Sequence, residues 1–167
     1  MKIMVFLQGT SIMHSSAVGK TRVERVRQVV DGGESILNIA SYVPVGGAVR
    51  KLQAWARQGA ELVYLSSNTR LEDVEKDKTV LRNHGFPDGP VLHRHAGEEY
   101  ADVAASILPD ILIEDDCESI GGEPEMTYPH LPPELQASIK SIAVREFGGI
   151  DHLPDDLRDL LDFPSPG

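Results

Sequence analysis

Polar residues follow four short apolar segments of this chain, and their side chains are of the kinds that bind phosphate and metal ions. They are Gln8-Gly9-Thr10 after residues 2–7, Ser66-Ser67-Asn68 after residues 61–65, His93-Arg94-His95 at the end of residues 91–93, and Glu114-Asp115-Asp116 after residues 111–113. Ligands of open α/β sheets bind at the carboxyl ends of the strands. If the four segments are parallel strands, these hydroxyl, guanidinium and carboxylate groups converge on one crevice.

The segments between these strands carry helical patterns. Apolar residues recur at helical spacing within residues 48–58, 71–84 and 97–108, and Gly59 and Gly85 follow the first two helices in the position of a C-terminal cap. Strands that alternate with helices at this spacing favour βαβ units and a mainly parallel sheet between two helical layers. We therefore predict an α/β fold of the Rossmann-like, three-layer α/β/α kind.

The ends of the chain are less regular. Residues 21–30 predict a short helix stopped by Asp31-Gly32-Gly33, and residues 36–43 are compatible with a strand or a second short helix. Residues 139–144 predict an edge strand and residues 154–163 an acidic terminal helix. We predict a single domain over residues 1–167, in which residues 11–43 are a small cap or an insertion and residues 150–167 a C-terminal helix or tail.

The order and spacing of the four strand ends resemble the haloacid dehalogenase superfamily of phosphatases and phosphotransferases. The first motif of that family is an apolar strand ending in Asp-x-Asp-Gly-Thr, and the matching stretch here is Phe-Leu-Gln-Gly-Thr at residues 6–10. Ser67-Asn68 matches the second motif, Arg94 the third and Asp115-Asp116 the acidic fourth. The resemblance covers about residues 2–122. It implies a phosphate site formed by Gly9, Thr10, Ser67, Asn68 and Arg94, and a Mg²⁺ site at Asp115 and Asp116.

Two positions depart from the family pattern. Phe6 stands where the family has the aspartate that attacks phosphorus, and phenylalanine has no nucleophilic atom. Gln8 stands where the family has the aspartate that serves as acid and base, and an amide does not exchange a proton at neutral pH. The resemblance therefore implies a member of the fold that has lost the standard mechanism but retains residues that bind phosphate and a weakened Mg²⁺ site.

The sequence offers four other candidates for chemistry. His93 and His95 could ligate zinc, but a third ligand is unassigned. Gly19-Lys20-Thr21 is similar to the end of a P-loop, but the glycine required five positions earlier is His14. His14 and Ser11 are the candidates to replace the lost nucleophile from the first loop, but the sequence supplies no adjacent base. Cys117 lies beside acidic residues, which disfavour a reactive thiolate.

Composition limits the classes of function. The net charge of −10 argues against general binding to nucleic acid or to anionic membranes, because such binding needs a surface rich in Lys and Arg. The single cysteine fits a reducing compartment, and the cytoplasm is the expected location. We predict a non-catalytic binding or regulatory protein that takes a small phosphorylated ligand or a protein partner, in an oligomeric state that the sequence leaves open. The alternative is a phosphatase or phosphotransferase with a non-standard nucleophile.

Overall fold

A five-stranded parallel sheet forms the centre of the molecule. The computed structural model describes residues 1–165. The strands are β1 (Lys2–Phe6), β2 (Ile12–Met13), β3 (Val43–Pro44), β4 (Glu61–Leu65), β5 (Val91–Leu92), β6 (Ile111–Asp115) and β7 (Lys140–Val144). The sheet has the order β5-β4-β1-β6-β7, and the two short strands β2 and β3 pair separately in antiparallel fashion. The order changes direction at β1, so the loop after β1 lies between the loops after β4 and β6, where α/β sheets bind ligands.

Helices cover both faces of the sheet. They are α1 (Arg22–Asp31), α2 (Glu34–Leu37), α3 (Ala48–Arg57), α4 (Leu71–His84), α5 (Tyr100–Ile107), α6 (Pro133–Ser138) and α7 (Leu157–Asp162). One core joins the sheet to α3, α4 and α7 through residues such as Trp55, Val80 and Leu160. A second core joins the opposite face to α5 through Val103 and Ala104. The predicted three-layer α/β/α fold with a mainly parallel sheet is confirmed.

The alternation of side chains along β1 decides which core each residue enters. Ile3 and Val5 point into the first core, whereas Met4 and Phe6 point into the second. All four are buried, as expected for the central strand of a sheet that is covered on both faces. Phe6 is therefore anchored as a core residue at the end of the strand that leads to the crevice.

Residues 15–41 form a small helical cover rather than a second sheet. Thr21 caps α1 through a capping box with Glu24, and Gly32 ends that helix in the left-handed conformation. Residues 36–43 were predicted as a strand or a second short helix. The structure has a helix only at the start of this segment, where α2 ends at Leu37, and a strand only at its end, in Val43–Pro44. The 3₁₀ turn Ile39–Ser41 packs against α4.

The C-terminal segment packs on the same chain. Lys51, a buried residue of α3, donates to the carbonyl of Leu153 and pairs with Asp155. The indole of Trp55 donates to the carbonyl of Pro154 at 2.9 Å, and Leu160 of α7 is fully buried. The terminal helix is shorter than the predicted span of residues 154–163. No helix among residues 1–165 combines the length and the apolar character needed to cross a bilayer.

Candidate functional site

A crevice of about 700 Å³ lies at the carboxyl ends of β1, β4 and β6. Its floor is formed by residues of the strand ends and of α5, including Phe6, Gln8, Ser67, Tyr100 and Asp115. The helical cover contributes a largely apolar wall, formed by Val29, Ile36, Leu37, Ile39 and Tyr42. A volume of this size is in the range of small-molecule sites. The segment of residues 11–43, which sequence left as a cap or an insertion, therefore supplies one side of the crevice.

Gln8 connects the loop after β1 to the loop after β4. Its side-chain oxygen accepts a hydrogen bond from the backbone N–H of Ser67 at 2.8 Å, and its Nε2 donates to Asp77 at 3.0 Å. Asp77 is fully buried on α4 and also accepts from the side chains of Ser66 and Asn68. Sequence inspection missed Asp77, because nothing in the pattern of α4 marks that position as the partner of a strand-end residue. The Asn68 side chain, which the resemblance assigns to phosphate, is thus bonded within the protein, as is the backbone N–H of Ser67.

Phe6 fills the position of the family's nucleophile with an aromatic ring. It packs edge-on against Tyr100, with ring centroids 4.9 Å apart and an interplanar angle of 75°. The Arg94 guanidinium lies over the ring of Tyr100, 4.1 Å from its centroid, in a cation–π contact. Arg94 borders a separate, smaller pocket beside α5 and is not among the residues that line the crevice. The structure therefore does not bring Arg94 together with the other predicted phosphate ligands.

Asp115 ends β6 and is held by two neighbours. Its carboxylate accepts from the hydroxyl of Thr10 and from the backbone N–H of Cys117, each at 2.9 Å. Burial raises its pKa to about 6, although both hydrogen bonds oppose that rise. Gly9 passes close to this carboxylate with φ of 87°, and a Cβ there would lie 3.0 Å from an Asp115 oxygen. Only glycine fits this approach without strain.

Asp116 turns toward the loop after β7. One of its oxygens accepts from the backbone N–H of Glu146 at 3.1 Å. The Glu146 carboxylate in turn accepts from the backbone N–H and the hydroxyl of Ser119, at 3.1 and 2.7 Å, and burial raises its pKa. Sequence inspection missed Glu146, yet it directly follows Val144-Arg145 at the end of a fifth strand. The strand-end rule that found the other four clusters would have found it too.

The donors present do not fit a magnesium site of the family type. Phe6 provides no oxygen where the family has a carboxylate, and the oxygens of Asp115 that face Thr10 and Cys117 already accept hydrogen bonds. Within residues 1–165 no group of three or more His, Cys, Asp or Glu side chains is arranged to hold a metal ion. A hard divalent cation normally takes six or more oxygens, including carboxylates. The predicted Mg²⁺ at Asp115 and Asp116 therefore stays a prediction without a matching donor set.

The structure also places four further candidate residues, namely Ser11, Cys117, His14 and Thr21. The Ser11 hydroxyl donates to the carbonyl of Phe6, and burial raises the pKa of the Cys117 thiol, which fits an unreactive sulfur. His14 lines the crevice, is 1% exposed, and its Nδ1 lies 2.8 Å from the hydroxyl of Ser16. Its Nε2 has no hydrogen-bond partner among the described residues, and burial lowers its pKa. Thr21 of the P-loop-like tripeptide serves as the cap of α1.

Comparison with known proteins gives one informative likeness. No family model matches the chain, and no curated protein matches it by sequence. Among solved structures, a class C acid phosphatase from Bacillus anthracis, crystallised with tungstate bound, is similar with a TM-score of 0.56 and 12% identity. The likeness covers 89% of this chain and 68% of that chain. At this identity it bears on the fold and not on the activity.

The fold is haloacid dehalogenase-like. The structural likeness, the position of β1 at the centre of the parallel sheet and the polar strand ends agree on this point. The resemblance drawn from residues 6–10, Ser67-Asn68 and Asp115-Asp116 is thereby confirmed at the level of fold. The roles implied for the individual residues stay predictions.

Proposed function

We propose that this chain is a non-hydrolytic binding protein that uses the crevice of a haloacid dehalogenase-like fold for an organic ligand. The observation that carries the proposal is the state of Phe6. Its ring is packed on Tyr100 at 4.9 Å at the end of the central strand, so the position of the nucleophile belongs to the hydrophobic core. Covalent catalysis by a carboxylate is therefore unavailable at that position.

The state of Gln8 supports the same proposal. In a phosphatase of this fold the second position of the motif gives and takes a proton, whereas Gln8 uses its amide to bridge Ser67 and Asp77. Because its side-chain oxygen and nitrogen are both hydrogen-bonded within the protein, Gln8 has a structural role. The loss of both groups leaves a preserved crevice of about 700 Å³ without its acid, base or nucleophile.

The predicted phosphate-binding role of Gly9, Thr10, Ser67, Asn68 and Arg94 stays open to test, but their contacts do not favour it. Thr10 donates to Asp115, the Ser67 amide to Gln8 and the Asn68 amide to Asp77, while Arg94 lies over Tyr100. The Ser67 hydroxyl is exposed at the crevice, but the other groups would have to break their present contacts to donate to a phosphate. We therefore give priority to an organic ligand over a phosphate monoester.

The competing function is a hydrolase with a non-standard nucleophile, and one contact favours it. The Ser119 hydroxyl donates to the Glu146 carboxylate at 2.7 Å, and both residues line the crevice. A hydroxyl bonded to a carboxylate of raised pKa is one arrangement of nucleophile and base. The same carboxylate also accepts the Ser119 backbone N–H, which equally fits a loop-closing contact.

Hydrolysis of para-nitrophenyl phosphate separates the two functions. We expect no turnover above the buffer rate, with or without magnesium. Turnover that is lost in Ser119→Ala or Asp115→Asn would defeat the non-hydrolytic proposal and support the competing one. A variant that restores both aspartates, Phe6→Asp with Gln8→Asp, shows whether the rest of the site is competent. Thermal unfolding of each variant controls for loss of fold.

A further inference from the structure

The charges that line the crevice have one dominant sign. Six acidic residues line it, namely Glu72, Asp73, Glu114, Asp115, Glu125 and Glu146, against the two cations Arg70 and Lys76. Each of these cations is already paired at the rim, since Arg70 contacts Glu72 and Lys76 lies 3.5 Å from Asp73. Because Arg70 and Lys76 are both paired with carboxylates, they contribute little positive charge to the binding of a ligand.

The four remaining carboxylates of the crevice are not paired with a cation in this way, and all but the exposed Glu125 are buried. None of Glu114, Asp115, Glu125 and Glu146 forms an ion pair with a Lys, Arg or His within residues 1–165. Asp115 and Glu146 are at most 6% exposed, so solvent screens them weakly. The net charge of −10 on the chain adds to the negative potential of the crevice. Such a potential repels anions and attracts cations.

Aromatic and apolar surfaces lie in the same crevice as these carboxylates. Phe6 and Tyr100 form an aromatic pair on the floor. Burial raises the pKa of the Tyr100 phenol, the Arg94 cation over its ring opposes that rise, and the charges of Asp115 and Glu125 add to it. On the opposite wall Leu37 is 81% exposed although it is large and apolar. Aromatic faces together with carboxylates bind organic ammonium groups, and an exposed apolar wall offers contact to an apolar body.

His14 provides an independent sign of a missing partner. It is a buried polar side chain that lines this crevice, and its Nε2 makes no hydrogen bond within residues 1–165. Buried polar atoms are normally paired, and an unpaired one calls for a partner from outside the protein. Burial lowers the pKa of this imidazole, although a backbone contact with Arg25 opposes the shift, and the unpaired Nε2 is left to bond a polar group of a ligand.

We propose that the crevice binds a small organic cation, an ammonium group carried on an apolar or aromatic body. The ammonium group lies among these four carboxylates, on the crevice side of Tyr100 and not on the side of the smaller pocket that Arg94 lines, and the apolar body lies against the helical cover at Leu37. This inference rests on the proposed non-hydrolytic function and names the class of ligand for the same crevice. It reverses the charge preference that the fold's phosphatase members imply.

Calorimetric titration with three probes of similar size tests the charge preference. Phenethylammonium carries the proposed cation, 3-phenylpropionate carries an anion on the same body, and phenyl phosphate represents the ligand class implied by the fold. We expect phenethylammonium to bind at least about tenfold more tightly than either anion, with a difference that shrinks as salt is added. Tighter binding of phenyl phosphate, or no binding of phenethylammonium up to about 1 mM, would overturn the inference.

Matched surface variants locate the bound cation. Glu125→Gln removes one exposed carboxylate of the crevice, and we expect about fivefold weaker binding of phenethylammonium. Leu37→Ser removes apolar contact from the wall and should weaken binding by about tenfold. Glu134→Gln, at an exposed position on α6 outside the crevice, should leave binding unchanged. Binding that is equal in all three variants and the parent protein would place the probe elsewhere and refute the assignment.

The two proposals fail in distinguishable ways. Hydrolysis of para-nitrophenyl phosphate that depends on a crevice residue would remove the non-hydrolytic function itself. Preference for phenyl phosphate without any turnover would leave that function standing and remove only the assignment of a cation.

Discussion

Replacing Asp115 by asparagine should change the way the stability of this protein depends on pH. The wild-type carboxyl is 6% exposed, and burial raises its folded-state pKa to about 6 from the ordinary 3.8. Asparagine keeps the shape of the side chain and still bonds both neighbours, because the hydroxyl of Thr10 can accept as well as donate. The substitution therefore removes the titration with little change in packing.

The sign and size of the effect follow from proton linkage. Because the folded state holds the proton more tightly than the unfolded state, the contribution of Asp115 is fully present below about pH 4 and is lost as the pH rises through about 6. The whole difference corresponds to about 3 kcal/mol at about 1.4 kcal/mol per pKa unit. Between about pH 4.5 and pH 7 the wild type should lose about 2 kcal/mol that the variant keeps.

Urea unfolding of both proteins at several pH values measures this difference. The free energy of unfolding of Asp115→Asn relative to wild type should rise with pH across that interval. Asp77 has a pKa raised by burial and is shared by both proteins, so its contribution cancels. The charge of Asp115 interacts with Glu114 and Glu146, so its removal also makes the pKa of Glu146 less raised, which changes the stability difference in the same direction. Asp88→Asn, at an exposed position, serves as the control. Parallel pH profiles for Asp115→Asn and wild type would refute the reasoning.

Three further substitutions test, through the free energy of unfolding, the buried hydrogen bonds, the close approach of Gly9 and the packing of α7. Asp77→Ala should lower the free energy of unfolding by about 3 kcal/mol, because it leaves buried donors such as the Asn68 amide unpaired; a loss below about 1 kcal/mol in urea unfolding would contradict this role. Gly9→Ala should cost about 2 kcal/mol in the same assay, since it strains a positive φ and crowds the Asp115 oxygen, and an unchanged midpoint would disprove the close approach. Leu160→Ala should cost about 3 kcal/mol by thermal or urea unfolding if α7 packs as described, whereas an exposed helix would lose almost nothing.

The parts of the fold that sequence predicts are those specified by local signals. The spans of β4 and α4 were predicted to the residue, because an apolar run ends at Leu65 and Gly85 stops the helix in a left-handed conformation. Residues 36–43 lack such signals: the segment has no capping side chain at α2 and only a two-residue strand, so its form is set by packing against α4.

The candidate site was predictable as a location and less so in its contacts. The strand-end rule brought Gln8, Ser67 and Asp115 to one crevice from sequence alone. It could not show that Arg94 would turn to the ring of Tyr100, because that contact depends on the relative placement of α5 and the loop before it. Nor could it show that Gln8 reaches Asp77 on a helix 69 residues away in sequence.

The hydrogen bond between Gln8 and Asp77 limits which residues position 8 can accept. A mutation that returned aspartate to position 8 would take away the amide that donates to Asp77 and bring a second carboxylate toward a buried one. Aspartate at position 8 would therefore destabilise the fold unless position 77 also changed. A variant with aspartate at position 8 should therefore also carry Asp77→Asn before its hydrolytic activity is judged.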